Sequence, residues 1–161
     1  HQFKSFEYCS IVVTCGSKCF TVVNIYPYPS PRNGLNEGSM FLEEFSQFMQ
    51  DLSIAQGELV VVDDLNLHLD ILDDPGTRKF SELMNIIGLR QSFTGPTHCC
   101  GHTLDVVISR ESDSLVENTC VHDLISDHAL VECTLKVSKP PVPRTTITSQ
   151  KYISIESLCG S

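Results

Sequence analysis

The sequence predicts an α/β domain in which helices cover a sheet. Three observations carry that reading. Apolar patterning runs in the order strand, helix, strand, helix and then several strands, which leaves the helices outside the sheet. Leu59 to Val62 is an unbroken apolar run of the kind buried on both faces. Ala129, Val131, Cys133, Leu135 and Val137 fall on every second position, as in a strand with one solvated face.

The elements follow in order. Tyr8 to Thr14 and Phe20 to Ile25 read as strands, and Gly16-Ser17 between them predicts a hairpin. Tyr26 to Gly34 holds Pro27, Pro29 and Pro31 and is expected to be loop. Ser39 is a suitable N-cap for a helix. After it Phe41, Leu42, Phe45, Phe48, Met49 and Leu52 recur at helical spacing between Glu43, Glu44, Gln47 and Gln50, a core-facing stripe. Gly57 breaks the chain before a strand over residues 58–62. Thr77 is the candidate cap of a second helix, with Phe80, Leu83, Met84 and Ile87 as its stripe and Gly88 as its stop. Leu89 to Phe93 is a short extended piece, and Thr94 to His102 a Gly/Pro/Thr loop. Strands are expected at residues 104–108, near 119–121 and at 129–137. Lys139-Pro140-Pro141-Val142-Pro143-Arg144 reads as a stiff linker. The domain is therefore placed at residues 1–137, and a Pro-containing linker or tail toward a downstream segment at 138–161.

At 161 residues, one domain with its own core is the default. The formal net charge of −9 argues against a tight, stand-alone binder of nucleic acid, because such binding draws on cations that neutralise phosphates. A weak binder tethered to another module is compatible with it. No apolar run approaches the roughly 20 residues of a bilayer span, so no membrane partner is expected. The opening His1-Gln2-Phe3-Lys4 is neither a signal nor a transit peptide and points to a piece of something longer. The even count of eight cysteines would suit a disulfide fold, but the lack of a visible secretion signal favours reduced thiols in an intracellular protein.

Candidate chemistry gathers at three strand ends. The Leu59–Val62 run ends in Asp63-Asp64-Leu65-Asn66-Leu67-His68. Asp105 heads the next apolar run, and Asp127-His128 heads the last. Open α/β sheets build sites at strand ends. If the sheet brings these ends together, a carboxylate-rich pocket with one or two imidazoles results, the equipment for cleaving a phosphodiester with a divalent cation. An Asx-turn that merely ends a strand is the plainer reading of Asp64 and Asn66. His98-Cys99-Cys100-Gly101-His102 offers four nitrogen or sulfur ligands and keeps a zinc module open. Against it, adjacent cysteines usually point apart, and no second ligand pair has finger-like spacing.

Four segments in this order resemble the endonuclease/exonuclease/phosphatase superfamily, and most of all the endonuclease domains of non-LTR (LINE-type) retrotransposon polyproteins. They are Asn24-Ile25-Tyr26-Pro27, Val62 to His68, Gly95-Pro96-Thr97-His98 through Leu104-Asp105, and Leu124-Ile125-Ser126-Asp127-His128. The resemblance covers roughly residues 6–137 and implies part of a four-layer α/β sandwich, two packed mixed or antiparallel sheets with outer helices, lacking the family's first strands. Those strands carry an Asn and the main metal-ligating Glu. The resemblance implies Asp64, Asn66, Asp105, His128 and Tyr26 as catalytic residues. Asp64 would orient the attacking water, Asn66 and Tyr26 would hold the phosphate, and His128 would act on it as base or stabiliser. Asp105 would fix the tautomer of His128. Asp127, with Asp64, would hold Mg²⁺ or Mn²⁺. With the Glu absent, metal affinity is expected to be millimolar or weaker. DNA and a reverse transcriptase in the same polyprotein are the implied partners, and the nucleus the implied location. His68 is as well explained by a structural hydrogen bond. Asp63 stands where the motif has Gly, and Pro27 where it has Arg. A carboxylate at 63 is expected to repel phosphate or distort the strand end, and a truncated sheet to expose an edge.

Overall fold

The computed structural model describes residues 3–28 and 37–137. The predicted hairpin is formed by β1 (Phe6–Cys15) and β2 (Lys18–Pro27), turning at Gly16 with φ +62°. A helix α1 (Glu37–Ser53) then crosses to β3 (Glu58–Asp64), which lies parallel to β2. A second helix α2 (Pro75–Ile87) leads to the short β4 (Leu89–Gln91) and to β5 (Asp105–Arg110), which runs antiparallel to β3. The mixed sheet has the order β1-β2-β3-β5-β4. Strands β6 (Val116–Leu124) and β7 (Ala129–Leu135) form a separate antiparallel pair.

Alternation along the central strands supplies two cores. Val23, Ile25, Leu59, Val61, Val106 and Ile108 face the helices, where Phe45 and Met49 of α1 and Phe80 and Met84 of α2 cover them. Phe20, Val60 and Val107 face the other way, toward Val121, Val131, Cys133 and Leu135 of the small sheet. Each side chain fully buried here contributes about 1.5–3 kcal/mol over exposure, and both faces of β3 are filled this way. The described layers are therefore helices, large sheet and small sheet, part of an α/β sandwich. Arg110 closes the end of α1 by donating to the carbonyls of Leu52, Ser53, Ala55 and Gly57. The outer edge strand β1 exposes Tyr8, Ile11 and Val12.

Four local expectations are corrected. Tyr26 and Pro27 continue β2 rather than opening a loop. Proline is tolerated there because pairing with β3 has ended at Asn24–Val62 and Pro27 occupies the last pair with β1. The loop expected after Tyr28 lies outside the described residues. Ser39, expected as the N-cap of α1, lies within the helix, which is described from Glu37. Helix α2 is capped by Asp74, whose Oδ2 accepts from the Thr77 backbone N–H at 3.0 Å, with Pro75 next in line. Thr77 is instead buried and donates its hydroxyl to the His68 carbonyl. The carboxylate at Asp63 does not distort the strand end, since the β3–β5 register runs unbroken through Asp63–Val106 and Asp64–Asp105.

Candidate active site

Strand direction decides what meets at the rim of the large sheet. Because β3 and β5 are antiparallel, the last residue of one faces the first of the other, and Asp64 pairs with Asp105. Residues directly opposite on an antiparallel pair share a face and sit within contact distance. Two carboxylates so placed repel each other unless a cation lies between them. His128 takes that position. Its Nδ1 lies 3.0 Å from Asp105 Oδ2 and its Nε2 lies 3.5 Å from Asp64 Oδ2. The hydrogen bond to Asp105 is the main reason the His128 pKa is raised, opposed by partial burial and helped by the charges of Asp64 and Asp127. The ring is thus held toward the imidazolium, with Nδ1–H donated to Asp105.

His128 reaches the rim from the other sheet because the Gly-Pro-Thr loop holds the start of β7. His98 and His128 form an isolated antiparallel bridge, and the Ala129 N–H donates to the Thr97 carbonyl at 2.8 Å. Thr97 is fully buried, and its Oγ1 accepts from the N–H groups of Leu104 (3.0 Å) and Asp105 (3.2 Å). One threonine therefore positions both ends of the Asp105–His128 pair. Its role was not read from the sequence, although the motif that contains it was.

The second half of the Asp64 motif forms the plainer structure considered for it. The Asn66 N–H donates to Asp64 Oδ1 at 2.9 Å, an Asx-turn. Asn66 is the one described non-glycine residue with positive φ, at +52°. The turn and the ring together engage both oxygens of Asp64. Asn66 is exposed beside the site, and Tyr26, at the same end of β2, is 56% exposed. By alternation Asp63 belongs to the helix-facing side of β3, away from Asp64. Its Oδ1 accepts from the Asp64 N–H, while its buried Oδ2 has no partner. Burial, with the charges of Asp64 and Asp105, pushes its carboxyl up to about 6.

Asp127 is exposed and accepts from the Ser126 hydroxyl, the main cause of its lowered pKa. Its ligand atom lies within 4.8 Å of those of His98 and His128, a group able to hold a cation, which Asp64 does not join. A second group shares His98 and adds Cys99 and Cys100. The two adjacent cysteines therefore do not point apart. His102 leaves the expected zinc quartet, because its Nδ1 is 2.9 Å from Asp70 Oδ2. That bond, with one from the Thr103 N–H, draws Asp70 down to about 2. The His68 ring stacks on His102 with centroids 4.2 Å apart and not on the Asp64–His128–Asp105 rim.

No protein-family model and no curated protein matches the sequence. Solved structures do. The chain is similar to the endonuclease domain of TRAS1, a telomere-specific non-LTR retrotransposon, at 17% identity and TM-score 0.64 over 82% of this chain. It spans 63% of the length of that domain. It is similar to the 3′ phosphatase NExo from Neisseria, bound to product DNA hairpin, at 16% identity and TM-score 0.56 over 83% of this chain and 71% of that one. An endonuclease/exonuclease/phosphatase family protein from Leptotrichia buccalis matches at 13% identity and TM-score 0.53, over 84% of this chain and 62% of that one. The fold is that of the endonuclease/exonuclease/phosphatase proteins.

Proposed function

We propose that the chain is a metal-dependent phosphodiester hydrolase that nicks DNA, working beside a reverse transcriptase in one polyprotein. The observation that carries the proposal is the line Asp105–His128–Asp64, with an imidazole held between two carboxylates at an exposed sheet rim. Such a ring is a positioned cation. When water attacks phosphorus and the phosphorus–oxygen bond to the leaving group breaks, negative charge builds on the phosphate oxygens. His128 offsets that charge, and Asp105 keeps the ring aimed without being consumed. Asp64 orients the attacking water. Asn66 and Tyr26 hydrogen-bond the phosphate from the exposed flank.

The residues proposed to hold a hard cation are Asp127 and Asp64, since Mg²⁺ or Mn²⁺ is commonly held by one or two carboxylates while keeping its waters; Asp64 stands outside the group that Asp127 forms with His98 and His128. Bound there, the ion would neutralise phosphate charge and acidify a water. Millimolar affinity is the expectation for so few carboxylates. The net charge of −9 makes DNA binding weak and salt-sensitive. Among the described residues no helix is long and apolar enough to cross a membrane. A nuclear location belongs to the same proposal, supported by DNA as the proposed target.

One observation favours a second reading, a folded but catalytically silent domain. Among the described residues, neither metal-compatible group contains a glutamate, and only one carboxylate appears in either. A supercoiled-plasmid nicking assay separates the two. Cleavage that needs Mg²⁺ or Mn²⁺ and is lost in Asp64→Ala and His128→Ala supports the hydrolase. Folded protein that leaves the plasmid intact at every metal concentration establishes the silent domain.

A further inference from the structure

We propose that His98, Cys99 and Cys100 form a binding site for one thiophilic divalent cation, Zn²⁺ or a chemical analogue of it. The site shares His98 with the group that contains Asp127 and His128, but it does not rest on the hydrolase reading. The ligand atoms of the three residues lie within 4.8 Å of one another, and Cys99 Sγ is 3.9 Å from His98 Nε2. In a tetrahedral zinc site, with bonds of about 2.1 Å to nitrogen and 2.3 Å to sulfur, neighbouring ligand atoms stand about 3.6 to 3.8 Å apart. From the 4.8 Å limit, the cluster therefore needs to contract by at most about 1.2 Å at any contact to close on an ion. Cys99 and Cys100 are exposed thiols, so their side chains are able to make that adjustment.

The backbone beneath them is held. The His98 N–H donates to the His102 carbonyl at 3.0 Å, the Gly101 N–H returns to the His98 carbonyl at 2.8 Å, and the Cys99 N–H donates to the Asp127 carbonyl at 2.7 Å. The loop is thus a closed turn fastened to the segment before β7. It presents two sulfurs and a nitrogen on one side of that turn. Soft sulfur donors select Zn²⁺ over Mg²⁺, so the two cation chemistries are separable by metal. The nearby Asp127 carboxylate adds negative potential, and three protein ligands leave a fourth position for water.

The test uses the full chain, without DNA. Reduced protein is titrated with Co²⁺ and the thiolate-to-cobalt charge-transfer absorption is followed, then Zn²⁺ is added to displace it. The expected result is one Co²⁺ per chain, a thiolate band, and displacement by one equivalent of Zn²⁺ but not by Mg²⁺. Cys99→Ser combined with Cys100→Ser abolishes the band, while Cys9→Ser combined with Cys19→Ser, at exposed cysteines of the hairpin, leaves it unchanged. A band that survives in the first pair or vanishes in the second overturns the proposal, as does its absence from the natural chain. Should the first pair fail to fold, His98→Asn carries the test. It keeps some thiolate band but binds at least about tenfold more weakly, by analogy with the loss of metal-site partners. Unchanged affinity in that variant overturns the proposal.

Discussion

Asp63 is the residue whose replacement tests the electrostatics of the rim most directly. It carries a carboxyl with one buried oxygen unpartnered, held up to about 6 from the usual 3.8 by burial first and by the neighbouring Asp64 and Asp105 charges. The folded protein thus holds a proton at this site between about pH 4 and 6 that the unfolded chain has released. Stability from this group falls as pH rises through that window. Below about pH 4 the group imposes no ionisation penalty, and above about pH 6 it imposes all of it. A shift of this size corresponds to about 3 kcal/mol at 1.36 kcal/mol per pH unit. Screening at a half-buried carboxyl reduces this to on the order of 1–2 kcal/mol. Asp63→Asn retains the acceptor for the Asp64 N–H and removes the charge. Urea unfolding followed by far-ultraviolet circular dichroism at pH 4, 5, 6, 7 and 8 measures the consequence. The variant should match the natural chain at pH 4 and exceed it by that amount at pH 8, with an unchanged denaturant slope. Carboxylates whose pKa is lowered, such as Asp70 and Asp127, titrate in both proteins and cancel in the difference. A difference that does not grow with pH, or a variant less stable at pH 8, would refute the reasoning.

Two further substitutions probe the same rim. Asn66 combines a left-handed backbone, φ +52°, with a proposed phosphate contact, and two variants separate these. Asn66→Gly should keep stability and lose nicking, whereas Asn66→Ala should lose nicking and also about 1 kcal/mol in urea unfolding; full nicking by the glycine variant removes Asn66 from the mechanism. In Asp105→Asn the ring of His128 keeps an acceptor but loses the carboxylate that raises its pKa. Its imidazole proton signals should then titrate at lower pH than in the natural chain, followed by nuclear magnetic resonance. The stability that this pair contributes is present in full below about pH 6.5 and is lost as pH rises through the raised His128 value, so the variant's deficit should shrink at alkaline pH. An unmoved titration would show that Asp105 does not govern the ring.

Local periodicity carried most of the fold. The hairpin, the Phe41–Leu52 stripe, the buried β3 run and the alternating β7 are patterns of neighbours, and neighbours are what a sequence displays. The misplaced boundaries turned on competition between similar signals. Asp74 and Thr77 are both good caps, and Pro75, favoured at the first helical position, was the discriminating signal. Pro27 could enter β2 only because the neighbouring strand had already ended, a tertiary fact. The rim was legible as three strand ends but not as an arrangement. That Asp64 opposes Asp105 follows from β5 running antiparallel to β3, and that His128 bridges them follows from a threonine in a third segment. The arrangement has its own energetic logic. Two like charges at a cross-strand pair destabilise the sheet end unless a cation sits between them. The ring that stabilises the pair is only partly covered, so the requirement that closes the sheet also presents an imidazole, held toward its charged form, at a partly open surface. Removing either carboxylate therefore has to change both the stability of the strand ends and the charge of His128. Stability and chemistry at this rim cannot be tuned separately by changing Asp64 or Asp105 alone.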